Sequence, residues 1–184
     1  CGVCHLLPFD IAETNISYYA LCALMFSVGL SVGNDPQTLK NFRSLNPRLV
    51  FLPIMTILGT LAGSAAVSLI LTHRSITDCL AVGSGFGYYS LSSIFITEYK
   101  GAELGTIALL ANIFREMMAL LGAPLIRKYF GKLAPISAAG VNSMDVLLPS
   151  ITQYSGKDVI PIAIFHGILI DMSVPVFVSF FCNL

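Results

Sequence analysis

The chain has 184 residues, of which 55% are apolar and 11% charged, less than half of the roughly 25% charge of an ordinary soluble domain. Ten Lys and Arg balance ten Asp and Glu, with no basic run, so the electrostatic footprint of a nucleic-acid binder is absent. Composition thus excludes a water-soluble globule and a polynucleotide partner, and it predicts an all-α polytopic membrane protein in contact with a lipid bilayer.

The chain opens on Cys1-Gly-Val-Cys4-His5, which matches the C-x-x-C-H pattern of c-type haem attachment. Nothing after it resembles a haem domain, and residues 6–15 lead directly into a membrane segment. We therefore read this motif as the tail of a helix that begins upstream, and expect no cofactor. The five cysteines, Cys1, Cys4, Cys22, Cys79 and Cys182, are odd in number and lie mostly in or beside apolar stretches, so no disulfide framework follows. The chain starts without Met and without the features of a signal peptide, which suggests a fragment or one half of a divided protein.

Six apolar or lightly polar stretches follow: 16–33, 49–72, 76–97, 104–126, 136–154 and 159–184. The first is uncharged and stops at Asn34-Asp35-Pro36, a turn signal that a helix does not continue through. The second is also uncharged, and its 24 residues cover about 36 Å at 1.5 Å each, against a hydrocarbon core of roughly 30 Å. Segment 76–97 differs, because its centre reads Gly83-Ser-Gly85-Phe-Gly87-Tyr88-Tyr89-Ser90. Glycines and serines at that depth predict an interrupted backbone rather than a lipid-facing helix. Segment 104–126 carries Arg115 and Glu116 at its middle, each costing about 2.5–3.5 kcal/mol to insert. Adjacent helical residues point about 100° apart, so these two do not pair with each other, and intramembrane charges mark functional sites by default. Segment 136–154 brings Gly140, Asn142, Ser143 and Asp145 before Pro149, a second predicted break where Asp145 caps a half-helix or holds a cation. The last, 159–184, holds His166 and Asp171 five residues apart. That spacing places them on different helix faces, and makes them secondary site candidates.

Lys and Arg in short loops collect on the cytoplasmic side of a membrane. With all six stretches crossing, the loop cations divide five against four. With 76–97 and 136–154 entering and leaving on one face, the division becomes seven against two: Lys40, Arg43, Arg48, Arg127, Lys128, Lys132 and Lys157 against Arg74 and Lys100. Four full spans and two discontinuous or re-entrant segments are therefore expected. Tyr18, Tyr19, Tyr99, Tyr129 and Tyr154 fall at segment edges, as interfacial aromatics do. Tyr88 and Tyr89 fall mid-segment, as expected for a tip that lines a protected polar space. There is no G-x-S-x-G, H-E-x-x-H or Walker loop and no metal-ligand spacing, so a carrier explains the intramembrane polar residues better than an enzyme does.

Four motifs in order, Gly83-Ser-Gly-Phe-Gly-Tyr-Tyr-Ser-Leu-Ser-Ser93, Asn112-Ile-Phe-Arg-Glu116, Asn142-Ser-Met-Asp-Val-Leu-Leu-Pro149 and Phe165-His-Gly167 before Val174-Pro175, resemble the LysO lysine exporter family. The similarity runs from Gly29-Leu-Ser31 to the C-terminus. The resemblance implies a multi-pass protein of the bacterial cytoplasmic (inner) membrane that exports L-lysine and close analogues in exchange for protons. It also implies that this chain is one half of an inverted-repeat transporter, completed by a complementary N-terminal membrane half, and it leaves open a homo-oligomer. The family's acidic residues map to Glu116 and Asp145. On chemical grounds, the carboxylates of Glu116 and Asp145 suit the amines of lysine. Arg115 and the glycine-rich tip at Gly85 and Tyr88 suit its carboxylate, with Asn112, Asn142 and Ser143 completing the polar set. A sodium-coupled carrier of another charged metabolite, and an accessory membrane subunit without transport of its own, are the competing readings.

Overall fold

The computed structural model describes residues 51–71 and 73–184. The expected span 16–33, the loop 34–48 and the Cys1–His5 motif lie outside the described residues. Within them every regular element is helical. Three helices are long and apolar enough to cross a membrane: α1 (Phe51–Ile70), α4 (Ala102–Phe130) and α7 (Ile160–Cys182). α7 continues a short 3₁₀ turn over Lys157–Val159. α4 extends beyond the expected 104–126 at both ends, and its 29 residues reach about 44 Å. Arg127 and Lys128 in its last turn suit both a helix C-terminus and a membrane–water boundary.

Between α1 and α4 the chain makes a helical hairpin from two short elements, α2 (Ile76–Gly83) and α3 (Tyr89–Lys100). Ser75 starts α2 by accepting a hydrogen bond from the Asp78 backbone N–H at 3.1 Å, which satisfies one of the helix's orphan donors. Eight residues of α2 rise only about 12 Å, less than half of the hydrocarbon core. The chain then turns over Ser84–Tyr88 and comes back. Lys100 Nζ at the end of α3 stands 3.7 Å from Asp78 Oδ1 at the start of α2, so both ends of this hairpin lie together. Arg74 and Glu103 form an ion pair beside them.

A second hairpin joins α4 to α7. It comprises α5 (Ala134–Ala139), a 3₁₀ turn over Gly140–Met144 and α6 (Leu148–Ser155). Lys132 Nζ and Asp158 Oδ2, 2.5 Å apart, bring the ends of this hairpin together in turn. The first hairpin closes beside the N-terminal end of α4 and the second beside its C-terminal end, so the two approach each other from opposite ends of the bundle.

Their tips meet. The Val141 N–H donates to the Phe86 carbonyl at 3.1 Å, and Asn142 Nδ2 donates to the Gly87 carbonyl at 3.4 Å. Gly140 permits the approach: its φ is +63°, and a Cβ there would sit 2.0 Å from the Phe86 oxygen. Phe86 itself is fully buried with φ at +46°, a conformation that non-glycine residues rarely hold unless the surroundings enforce it. Its ring packs edge-on against Phe177 of α7, with centroids 6.2 Å apart. Ile136, Leu147, Ile151 and Ala163 form the apolar core around the second hairpin. Phe114, Met118, Leu121 and Phe130 of α4 are exposed, the outward apolar face that acyl chains require.

Candidate functional site

Interrupting a helix at membrane depth strands backbone donors and acceptors, and each must find a partner inside the protein. Asn112 supplies the first hairpin. Buried on α4, its Oδ1 accepts from the Gly87 N–H at 2.8 Å, while Nδ2 faces the carbonyls of Ala108 at 2.9 Å and Val82 at 3.3 Å and Ser92 Oγ at 3.4 Å. Gly85 lies so close that a Cβ there would meet Asn112 Nδ2 at 2.5 Å. The two residues are therefore one packing unit.

Arg115, one turn further along α4, supplies the second hairpin. Nε donates to the Ala138 carbonyl at 3.2 Å and one terminal nitrogen to the Ser137 carbonyl at 3.3 Å; the other meets Thr60 Oγ1 of α1 at 3.3 Å. The guanidinium thus sits on the last carbonyls of α5, where a helix end carries partial negative charge. Glu116, its sequence neighbour, is half-buried. Neither a hydrogen bond nor an ion pair engages the Glu116 carboxylate among the described residues.

The 3₁₀ turn of the second hairpin is fixed by α7. His166 is fully buried, with Nδ1 3.1 Å from Ser143 Oγ and Nε2 3.0 Å from Thr56 Oγ1. Ser143 donates onward to the Ala163 carbonyl at 3.0 Å, and Thr56 lies 2.8 Å from Ser137 Oγ. Because Ser143 gives its single proton to the Ala163 carbonyl, it accepts from His166 Nδ1–H; Thr56, whose hydroxyl also donates to the Leu52 carbonyl at 3.0 Å, closes the contact at Nε2. Both ring nitrogens are then committed to holding α1, α5, α7 and the turn together.

Three polar groups remain around the crossing. Asp145 is exposed at the end of the 3₁₀ turn, and its Oδ1 accepts from the Val146 N–H at 2.6 Å. Asp171 on α7 is buried, yet its Oδ1 has no hydrogen-bond partner. Asp171 feels the charge of Asp145, and the Tyr88 hydroxyl at the tip of the first hairpin feels both.

The family model of the lysine exporter LysO matches residues 1–182. The chain belongs to that family. Lysine exporter LysO of Escherichia coli is 36% identical over 176 residues, which make up 95% of this chain and 58% of that protein. A Haemophilus influenzae protein provisionally named a lysine exporter is 33% identical over 165 residues, 90% of this chain and 83% of its own length. The chain thus spans little more than half the length of the E. coli relative. No solved structure matches it. The family is one of multi-pass membrane transporters and not of enzymes, consistent with the bacterial inner membrane.

In this family member the sequence motifs separate into two structural groups. Asn112 with Gly85, Arg115, Asn142, and Ser143 with His166 hold the two breaks, whereas Asp171 and Tyr88 both lie within the electrostatic reach of Asp145, and the Glu116 carboxylate has no hydrogen bond or ion pair among the described residues. Thr56, Thr60, Ser92 and Ser137 take part in the same networks and were missed by sequence reasoning. Their only signal is a hydroxyl in an apolar run, and such a hydroxyl more often bonds its own helix. A cavity of about 710 Å³ also runs between α1, α2 and α4, from Arg74 and Asp78 to Asn112 and Arg115. Its walls do not include Glu116, Asp145 or Asp171.

Proposed function

We propose that the chain exports L-lysine and close analogues from the cytoplasm by proton antiport, as part of a transporter completed by an N-terminal membrane half. The observation that most supports a carrier is the meeting of two interrupted hairpins at the Phe86–Val141 hydrogen bond, with carboxylates beside it. Interrupted helices that meet near mid-membrane are where secondary transporters place substrate and coupling ions. Lysine enters the reading through the printed names of the relatives from E. coli and H. influenzae. In this reading Asp145 grips an ammonium group with the carboxylate oxygen not bonded to Val146. Glu116, without a fixed partner, binds and releases the proton. The two hairpins enter the bilayer from opposite faces, with 34–48 and 127–135 cytoplasmic.

Efflux from lysine-loaded proteoliposomes tests this reading. Lysine should leave when an inward-directed proton gradient is imposed and not when an inward-directed sodium gradient is, and Glu116→Gln should abolish lysine-driven proton movement at unchanged protein abundance. Sodium-driven efflux would transfer the reading to the sodium-coupled alternative. Near-normal export by Glu116→Gln with an unchanged pH profile would make that carboxylate structural.

A further inference from the structure

We propose that Asp171 is a substrate-binding residue which, together with Asp145 and Tyr88, forms the subsite for a primary ammonium group. The inference rests on the crossing being the substrate site, and it extends that site to a helix outside both hairpins. Asp171 is only 3% exposed, yet its Oδ1 lacks any hydrogen-bond partner. A buried acceptor left unsatisfied costs about 1–3 kcal/mol, and more when it is charged, so an orphaned carboxylate calls for a ligand that supplies donors.

The surroundings define that ligand. Asp145 lies within electrostatic range of Asp171, and Tyr88 within range of both. Two neighbouring carboxylates repel unless a positive charge is shared between them. None is supplied among the described residues, whose ion pairs are Arg74–Glu103, Lys100–Asp78 and Lys132–Asp158 and whose Arg115 is committed to Thr60, Ser137 and Ala138. An ammonium group carries three N–H donors. Asp171 Oδ1, the Asp145 oxygen not bonded to Val146, and the Tyr88 hydroxyl oxygen offer three acceptors. A bare metal cation asks instead for a fuller shell of oxygens, commonly including backbone carbonyls. At the first tip the carbonyls of Gly83, Gly85, Phe86 and Gly87 each already accept a hydrogen bond, from Phe86, Tyr88, Val141 and Tyr89 respectively. The donor count therefore favours an alkylammonium over an inorganic ion.

The test uses the assembled transporter, this chain with its N-terminal membrane half, purified in detergent, with L-lysine and 1,5-diaminopentane as probes, since the diamine keeps the ammonium groups and lacks the carboxylate. Asp171→Asn should weaken the binding of both probes tenfold or more, with the ligand-free unfolding midpoint not lowered. Should that variant fail to fold, modification of Asp171 by a hydrophobic carbodiimide is followed in the unsubstituted chain, where 1,5-diaminopentane should slow it and sodium chloride at equal concentration should not. Unchanged affinity in a folded Asp171→Asn, or carbodiimide modification slowed by sodium or indifferent to the diamine, overturns the assignment. Binding of the diamine but not of lysine leaves the ammonium subsite standing and removes lysine as the cargo. Binding of neither removes both.

Discussion

Gly140→Ala perturbs the crossing without touching any acidic residue. An added Cβ would lie 2.0 Å from the Phe86 carbonyl oxygen and 3.0 Å from its carbon. Both are backbone atoms, so no side chain can swing aside. Relief requires the two tips to part, which breaks the Val141–Phe86 hydrogen bond, worth about 0.5–1.5 kcal/mol. The alanine must also keep a positive φ at a cost of about 1–3 kcal/mol. The sum is on the order of 2–4 kcal/mol. Gly131→Ala is the matched control, because Gly131 also has a positive φ, +96°, but nothing lies within 4 Å of its Cβ position, so it incurs the conformational cost alone. Reversible denaturant titration in detergent should place Gly140→Ala below Gly131→Ala by about 1–2 kcal/mol, the share due to the steric clash and the lost hydrogen bond. Lysine efflux should fall further for Gly140→Ala than its abundance does. Equal destabilisation by the two variants would refute the view that the tips are in fixed contact.

Arg115→Ala strips the last carbonyls of α5 of their charged donors and should destabilise the protein by about 3 kcal/mol or more. Arg115→Lys, which keeps the charge but cannot span Ser137, Ala138 and Thr60 together, should recover less than half of that loss in the same titration. In a background lacking native cysteines, Leu45→Cys and Phe130→Cys should react with an impermeant thiol reagent from the cytoplasmic side, and Tyr99→Cys only from the opposite side. Labelling of positions 45 and 130 from opposite faces would remove the proposed layout.

Helical class was legible because long uncharged runs leave a backbone no other way to satisfy itself in lipid, and helices stand at Phe51–Ile70, Ala102–Phe130 and Ile160–Cys182. The places where helices stop were legible too, since Gly83 to Gly87 and Gly140 to Asp145 carry residues that a lipid-facing helix does not use. What the sequence could not disclose is who repairs the breaks. The insertion cost of Arg115 announces that it has partners, but those partners are the backbone carbonyls of Ser137 and Ala138, and a carbonyl has no letter in a sequence. The same cost argument draws attention to Glu116, and there the described residues present no partner. For Asp171 the spacing from His166 excludes an acid–imidazole pair, and its electrostatic relation to Asp145 and Tyr88 comes only from the fold.

One consequence of the geometry links the two hairpins mechanically. Asn112 bonds the tip of the first at Gly87, and Arg115 bonds the second at Ser137 and Ala138. Both belong to a single turn of α4, separated along the helix axis by about 4.5 Å at 1.5 Å per residue. Hairpins that come from opposite ends of the bundle are therefore held by one rigid element, and a displacement of that turn along its axis must pull on both tips at once. Glu116 follows Arg115 directly. If Glu116 is the coupling carboxylate, its gain or loss of a proton changes the charge on the same turn that holds both hairpins, so the proton need not share a pocket with the ammonium group to affect it.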